Sequence, residues 1–289
     1  PLVVGRVPFF RLLPPPAAPP WGRGAAPAHG GALASNDALV LEHVTRAFGA
    51  LRAVDDVSLS VAAGQKYAVL GSNGAGKTTL FNAITGDFPP GHQGGPTAAS
   101  GRIRFFGEDI TDLPPHERIR KGLRRTYQSS LLFRELTVRD NLFLAVRGVS
   151  NGRYSFRRPG PAHASQRATD ELLERARLAH LADEFVANLA LGQQRQLVIG
   201  MALAGAPRLI LFDEPAAGLS PAERRELVAL LRSLPAHMSF VLIEHDLDIA
   251  LRVTEKVTVM HNGSVLKTGT PEQIENDAQV QAIYMGAKH

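Results

Sequence analysis

The amino-acid sequence predicts an α/β fold, with a core built on a parallel sheet and a helical subdomain inserted into that core. Short apolar runs, LILF at 209–212 and SFVLIE at 239–244, have the length and composition of buried strands. Amphipathic segments such as PAERRELVALLRSL at 221–234 separate these runs, and strands that alternate with helices form parallel sheets. Residues 131–188 carry apolar side chains three and four positions apart, which predicts the inserted helices.

The N-terminal part of the chain divides into a tail and a β subdomain. Residues 1–37 are crowded with Pro, Ala and Gly and follow the period of neither helix nor strand, which predicts a disordered tail. ALVLEHV at 38–44 and LRAVDDVSLSV at 51–61 then predict an N-terminal antiparallel β subdomain. We expect one folded domain at 38–289, with the helical subdomain inserted at about 129–190.

Composition limits the classes of protein to which the chain can belong. Its 289 residues are 44% hydrophobic, enough for a globular domain with a buried core. No stretch approaches the roughly 18 apolar residues of a membrane span, so we expect any membrane role to act through a partner chain. The absence of cysteine excludes disulfides and thiolate metal sites and fits a reducing compartment. The net charge of +5 is modest and dispersed, which favours a solvated basic surface over one that binds nucleic acid.

The strongest motif is the glycine-rich stretch GSNGAGKT at 71–78, which fits the pattern G-x-x-x-x-G-K-[ST] of phosphate-binding loops. An apolar strand, KYAVLG at 66–71, precedes it and a helical segment, KTTLFNAI at 77–84, follows it. The glycines let backbone N–H groups surround the phosphates of a nucleotide, Lys77 neutralises phosphate charge and the Thr78 hydroxyl binds Mg²⁺. The predicted nucleotide-binding residues of this loop are Gly71, Ser72, Asn73, Gly74, Ala75, Gly76, Lys77, Thr78 and Thr79.

Acidic residues follow a second buried strand. LILFDE places Asp213 and Glu214 at the carboxyl end of a strand that we expect to lie beside the strand of the phosphate loop. Asp213 is predicted to hold Mg²⁺, and Glu214 to act as the general base that activates water. His245 follows the next apolar strand, where an imidazole contacts the γ-phosphate or orients the water. The ten histidines show no metal-ligand spacing, so nucleotide-bound Mg²⁺ is the one metal predicted.

These motifs, together with others in the same order along the chain, resemble the ATP-binding subunits of ABC transporters over about residues 39–286. Phe48 in TRAFGAL lies where that family places an aromatic residue that stacks on adenine. Gln128 in RRTYQSS matches a glutamine that senses Mg²⁺ and the γ-phosphate, and therefore joins both the predicted catalytic residues and the predicted metal ligands. AAGLS at 216–220 matches a loop that faces the dimer interface, and His245 matches the switch histidine. The resemblance implies a P-loop NTPase core that binds and hydrolyses ATP with Mg²⁺.

The chain departs from the family at the signature sequence. LALGQ at 189–193 stands where the family pattern is LSGGQ, so the nucleotide-binding residues predicted here are Ala190, Leu191, Gly192 and Gln193. Ala190 lacks the serine hydroxyl that donates to the γ-phosphate across the dimer, and a hydrogen bond to a charged group contributes ~1.5 to 3 kcal/mol. We expect a closed state weakened by roughly ten- to a hundredfold. The N-terminus of the helix that begins here still attracts anions, so the predicted enzyme is active but either slow or strongly dependent on its partners.

The resemblance also implies partners. In this family two ATPase subunits pack head to tail, either as identical chains or as paralogues, and each ATP lies between the phosphate loop of one and the signature of the other. The helical subdomains grip transmembrane permease subunits, and an extracytoplasmic solute-binding protein takes part indirectly. The implied location is the cytoplasmic face of the cell (inner) membrane, as a peripheral subunit.

Within the family, the chain is most similar to importers of branched-chain amino acids and related small polar solutes. The segments that carry this likeness are LPPHERIRKGLRRTYQSSLLFRELTVRDNL, GQQRQLVIGMALAGAPRLILFDEPAAGLSPAE and IEHDLDIALRVTEKVTVMHNGSVLKTGTPEQI. A lipid or lipopolysaccharide exporter is the alternative within transport. A soluble ATPase that acts on nucleic acid or the ribosome is the alternative outside it, but the single phosphate loop and the lack of sustained heptads argue against that class. The basic cluster HERIRKGLRR at 116–125 is interpreted either as a face for anionic lipid headgroups or as a solvated helix.

Overall fold

The computed structural model describes residues 36–87, 98–127, 132–149 and 164–285. Its strands are β1 (Asp37–Phe48), β2 (Leu51–Ala62), β3 (Lys66–Leu70), β4 (Ala98–Phe105), β5 (Glu108–Asp109), β6 (Leu123–Arg125), β7 (Leu209–Asp213), β8 (Ser239–Glu244), β9 (Lys256–His261) and β10 (Ser264–Gly269). Its helices are α1 (Lys77–Thr85), α2 (Pro115–Arg120), α3 (Val138–Val149), α4 (Ala164–Arg175), α5 (Leu191–Ala202), α6 (Pro221–Arg232), α7 (Leu247–Val253), α8 (Pro271–Glu275) and α9 (Ala278–Met285). The predicted tail up to residue 35 and Gln128 lie outside the described residues.

The predicted N-terminal antiparallel β subdomain is present as a sheet with the strand order β2-β1-β4-β5. Alternate side chains of β2 are buried from Val57 to Val61, as expected for a strand with one face on the core, whereas the register shifts of β1 interrupt its alternation. The sheet begins slightly before the predicted boundary, because Asp37 already belongs to β1 and the carbonyl of Asn36 accepts a hydrogen bond from the N–H of Ala63. Strand β1 therefore begins at the last residue of the segment that composition assigns to the tail.

The second sheet has the order β10-β9-β3-β8-β7-β6, with parallel pairing from β9 to β6 and one antiparallel edge strand, β10. β7 and β8 are buried at every position, which explains their continuous apolar sequence. The expectation that β7 lies beside the strand of the phosphate loop is wrong. β8 lies between β3 and β7. The prediction failed because β7 and β8 are similar in composition, and composition does not indicate the order in which strands pair.

The inserted helical subdomain is also present, between β6 and β7 in the sequence. Its helices α3, α4 and α5 contact one another, and α5 lies close to the end of α4 at Gly200, where a Cβ would lie 2.9 Å from that of Ala176, the residue that follows α4. α5 runs from Leu191 to Ala202, so the helical layer continues beyond the predicted boundary at residue 190. No helix among the described residues has both the length and the apolar character needed to cross a membrane.

The basic cluster at 116–125 is exposed at His116 and Arg120 but not at every cation. Only its first half is helical, as α2, and its last residues form β6. Arg118 is 3% exposed and donates hydrogen bonds to the backbone carbonyls of Thr111, Leu113, Ala83 and Ile84. A guanidinium held by four carbonyl oxygens in the interior is neither solvated nor available to a lipid surface. A helix of six residues is too short for the spacing of its apolar residues to show which side is buried. The burial of Arg118 was therefore not predicted.

Candidate nucleotide-binding site

The predicted phosphate loop connects the end of β3 to the start of α1. Two of its glycines are required by the surrounding backbone: a Cβ on Gly76 would lie 2.1 Å from the carbonyl oxygen of Ala53, and one on Gly71 would lie 2.6 Å from that of Met260. Gly76 also has a φ of 97°, a left-handed conformation that residues with a Cβ rarely adopt. The loop is therefore held against neighbouring strands in a conformation that only this glycine pattern permits.

Lys77 lies at the first position of α1, facing back into the loop. Its side chain is buried, and its Nζ donates to the carbonyl oxygens of Gly71 and Ser72 at 2.7 and 3.0 Å. α1 has no side-chain N-cap bond and no acidic residue in its first turn, so the loop presents a helix N-terminus and an ammonium together. That combination suits the phosphates of a nucleotide. Ser72, Asn73 and Thr78 are exposed at the surface of the loop.

The acidic residues predicted from the strand ends lie close to this lysine. Burial lowers the pKa of the Lys77 ammonium. Three carboxyl groups act on it in the opposite direction, those of Glu214, Asp213 and Glu244. The structure therefore brings the phosphate loop and the ends of β7 and β8 together around one cation, although β3 and β7 are not adjacent.

Asp213 ends β7 with its side chain almost fully buried. Its Oδ2 accepts a hydrogen bond from Arg125 at 2.7 Å, and its backbone N–H donates to the Thr126 hydroxyl at 3.2 Å. Its Oδ1 is buried and has no hydrogen-bond partner. A buried carboxylate oxygen with no donor is available to a cation, and oxygen is the ligand that Mg²⁺ prefers. The described residues contain no cluster of three or more His, Cys, Asp or Glu side chains arranged to bind a metal, so any ion held here needs further ligands.

Glu214 and His245 follow neighbouring strands and approach each other. Glu214 has a φ of 45°, a strained value for a residue other than glycine, and its N–H donates to the carbonyl of Ile243 on β8. Its Oε2 lies 3.8 Å from the Nδ1 of His245, which is beyond hydrogen-bond distance. The His245 ring is half exposed, whereas the Glu214 carboxyl is 15% exposed. The two groups therefore lie close together without a direct hydrogen bond.

Glu244 is the last residue of β8. The sequence predicts the end of a strand at this position and no functional role for Glu244. Its side chain is fully buried, and one carboxyl oxygen accepts the N–H of Ala216 at 2.9 Å. Burial, together with the neighbouring charges of Glu214 and Asp246, raises the pKa of Glu244 to about 7. The second oxygen has no hydrogen-bond partner. The signal that could have identified it is an acid at the end of a run that is otherwise buried throughout.

The signature stretch lies at the N-terminus of α5 and packs against α6. Ala190 is the N-cap residue, and its N–H donates to the side chain of Gln193 at 2.9 Å. The N–H of Gly192 donates to Oε1 of Glu223, also at 2.9 Å. Leu191 is 40% exposed and covers Gly218, where a Cβ would lie 3.2 Å from its side chain. Glu223, which the sequence did not indicate, thus joins the signature stretch to the loop that begins α6.

Phe48 lies at the end of β1, where it pairs with Leu51 of β2 across a tight turn. Leu51 is 66% exposed, so this turn presents apolar surface to the solvent. An aromatic and an aliphatic side chain at a strand end are suitable for contact with a flat base.

Comparison with known proteins identifies the family. The family model described as ABC transporter matches residues 54–217, more than half of the chain. The chain belongs to the ABC transporter family. It is 36% identical over 260 residues to the high-affinity branched-chain amino acid transport ATP-binding protein BraF of Pseudomonas aeruginosa, a match that covers 87% of this chain and 99% of that protein.

Two further similarities bear on this ABC ATPase. It is 33% identical over 249 residues to the lipopolysaccharide export system ATP-binding protein LptB of Haemophilus influenzae, covering 86% of this chain and 97% of that protein. It also resembles the crystal structure of the ADP conformation of MJ1267, an ATP-binding cassette of an ABC transporter, with a TM-score of 0.74 and 32% identity over 86% of this chain and 99% of that one. The predicted fold class and the prediction of an ATP-hydrolysing ABC subunit are confirmed.

Proposed function

We propose that this ABC ATPase powers the import of branched-chain amino acids or of related small polar solutes. The observation that carries the proposal is the likeness to BraF, which extends over 99% of that protein's length at 36% identity. The lipopolysaccharide-export relative covers a similar share at 33% identity, so export of a lipid is retained as a second candidate. Both alternatives use the same ATPase site and differ in the membrane partners.

The phosphate loop supplies the binding energy for ATP in this proposal. Residues 71–79 surround the phosphates with backbone N–H groups, and Lys77 exchanges its two carbonyl contacts for phosphate oxygens. Phe48 stacks on adenine at the exposed turn between β1 and β2. Thr78, Gln128 and Asp213 would hold Mg²⁺, which would supply positive charge beside the phosphates. The unpartnered Oδ1 of Asp213 supports its part in this site.

Glu214 is the proposed general base for hydrolysis. Its backbone is fixed in an unusual conformation by the bond to Ile243, which limits where its carboxylate can point. His245 is near enough to orient the same water or to contact the γ-phosphate. Because burial raises the pKa of Glu244 to about 7, that neighbour is largely protonated below neutral pH. It then adds little negative charge to the site.

The complete transporter requires other chains. A second ATPase subunit, identical or paralogous, supplies the signature residues Ala190–Gln193 to the γ-phosphate bound by the first. Transmembrane permease subunits form the path for the solute, and an extracytoplasmic solute-binding protein delivers it. In this arrangement the ATPase is a peripheral subunit at the cytoplasmic face of the cell (inner) membrane, and no nucleic acid takes part.

Reconstitution tests the proposal. The ATPase is coexpressed with the permeases encoded nearest to its gene and placed in proteoliposomes, and uptake of radiolabelled leucine is measured with the matching solute-binding protein. We expect ATP-dependent uptake that the Lys77→Ala variant lacks. Uptake equal to that of Lys77→Ala, with lipopolysaccharide extraction that depends on ATP, would transfer the proposal to the exporter.

A further inference from the structure

Arg125, the last residue of β6, is almost completely enclosed, with 5% of its side chain exposed. One guanidinium nitrogen donates to Oδ2 of Asp213 at 2.7 Å. The other donates to Oδ1 of Asn82 at 2.6 Å and lies 3.2 Å from Oδ2 of Asp87. The planar fork of the guanidinium therefore connects β7 to α1 and to the residues that follow α1.

Two aromatic rings lie beside this guanidinium. Its central carbon lies 4.8 Å from the ring centroid of Tyr127 and 5.7 Å from that of Phe81, both within the range of cation–π attraction. Tyr127 is 43% exposed and directly precedes Gln128. A displacement of Tyr127 would therefore act on Arg125 and, through it, on Asp213.

The consequence for Asp213 is that its two carboxylate oxygens have different roles. Oδ2 is held by Arg125, whereas Oδ1 is buried without a partner. The Thr126 hydroxyl accepts the backbone N–H of the same residue, so neighbouring residues of one segment fix both its main chain and its side chain. The rotation of the carboxylate, and hence the direction of Oδ1, depends on Arg125.

Arg125 also lies at a surface cavity of about 90 Å³ between the end of α1, α2 and β6, together with Thr85, Ile119 and Tyr127. Arg125 thus both lines a surface recess and donates a hydrogen bond to Asp213. Arg118 lines the same cavity, but its hydrogen bonds go to backbone carbonyls and not to Asp213.

We propose that Arg125 is a positioning residue that aims Oδ1 of Asp213 at nucleotide-bound Mg²⁺ and links that carboxylate to the surface around Tyr127. The inference rests on the proposed metal role of Asp213. Arg125 influences metal binding through Asp213 and contacts neither the metal nor ATP. Arg125 then affects how much Mg²⁺ strengthens ATP binding and leaves metal-free ATP binding to the phosphate loop.

The test measures the dissociation constant of a fluorescent ATP analogue with Mg²⁺ and with EDTA. The constant with EDTA divided by the constant with Mg²⁺ gives a ratio that states how many fold Mg²⁺ strengthens ATP binding. This ratio is measured without turnover. For Arg125→Gln we expect this ratio to fall by about tenfold, as the loss of one hydrogen bond between charged groups predicts. The EDTA value should stay within about twofold of the wild-type value, because Lys77 and the loop glycines are unchanged.

Arg118→Gln is the matched control, since it removes another buried guanidinium from the same cavity. Both variants should melt at lower temperature than the wild type, because each leaves buried groups unpaired. Only Arg125→Gln should lose the Mg²⁺ effect. If Arg125→Gln does not fold, Arg125→Lys keeps the charge but not the fork, and a severalfold fall in the ratio is expected for it.

Asp213→Asn separates this inference from the proposed function. We expect Asp213→Asn to lower the ratio, and Arg125→Gln to lower it no further in that background. An unchanged or larger ratio in Arg125→Gln, with a lowered ratio in Asp213→Asn, would overturn the role of Arg125 and leave Asp213 as a ligand. An unchanged ratio in Asp213→Asn would overturn both.

Discussion

Ala190→Ser tests whether one hydroxyl at the signature has two separate effects. Ala190 is the N-cap of α5, with φ −61° and ψ 157°. Ser220 caps α6 and Thr270 caps α8 with nearly the same angles, and in both cases the hydroxyl accepts the N–H three residues later. At α5 only the reverse bond exists, from the N–H of Ala190 to the side chain of Gln193. A serine at position 190 would complete the pair.

The magnitudes of the two effects follow from these contacts. A new N-cap hydroxyl stabilises a protein by ~1 kcal/mol, which raises the melting temperature of a domain of this size by about 2 to 4 °C. A hydroxyl can accept one hydrogen bond and still donate another. If the signature faces the γ-phosphate of a partner subunit, donation to that charged group adds ~1.5 to 3 kcal/mol to the closed dimer, or roughly ten- to a hundredfold in its affinity.

Two assays separate the effects. The melting temperature of the nucleotide-free protein reports only the cap, whereas sedimentation with ATP reports the dimer. The second measurement is made in a Glu214→Gln background, which is expected to preserve ATP in the closed state. Ser220→Ala is the matched reverse substitution, and we expect it to lower the free energy of unfolding by ~1 kcal/mol.

Each measurement has a result that refutes its part of the reasoning. A melting temperature that does not rise in Ala190→Ser, while Ser220→Ala loses stability, would mean that α5 does not begin as described. A melting temperature that rises with no change in ATP-driven dimerisation would mean that Ala190 does not face the γ-phosphate. The alignment of LALGQ with the family signature would then need revision.

Three further predictions concern the site. Lys77→Ala should weaken ATP binding by more than about tenfold, since it removes a charged hydrogen-bond donor, and abolish turnover; ATPase activity at the wild-type level would exclude the loop from the mechanism. Glu214→Gln should bind ATP normally and turn over ~10² to 10⁴ times more slowly, and an unchanged rate would place the base elsewhere, with His245 next. Because burial raises the pKa of Glu244 from 4.5 to about 7, the folded state binds a proton there that the unfolded state has lost. The free energy of unfolding should therefore fall by up to ~3 kcal/mol as pH rises between those values. Glu244→Gln should remove this fall, so parallel melting profiles of the two proteins would contradict the assignment.

The motifs of the site were predictable because each is local. The glycines at positions 71 and 76 and Lys77 form a motif that can be recognised within eight consecutive residues, and the apolar runs before Asp213 and His245 mark strand ends by composition alone. The antiparallel sheet and the helical insertion were predictable for the same reason. Apolar side chains that recur every two residues in a strand, or every 3.6 residues in a helix, can be recognised within a short stretch of sequence.

The elements missed by these patterns are short or at an edge. β5 and β6 contain two and three residues, too few for a period to show. β6 was hidden within a run of basic residues. The burial of Arg118 was not predicted either. Its four hydrogen-bond acceptors are backbone carbonyls, and because every residue has a carbonyl, the sequence does not show which of them will accept.

The sequence by itself determined the α/β class, the phosphate loop and the acidic pair Asp213 and Glu214 at the end of a buried strand. Only the tertiary structure decided that β8 separates β3 from β7, that Arg125 holds Asp213 across 88 positions of the chain, and that Glu223 reaches Gly192 across 31. The physical reason is that the free energy of burying apolar side chains depends on the area removed from water and hardly on which apolar groups they pack against. A buried charge, in contrast, is stable only beside particular donors and acceptors. Those partners come together only when distant segments have packed.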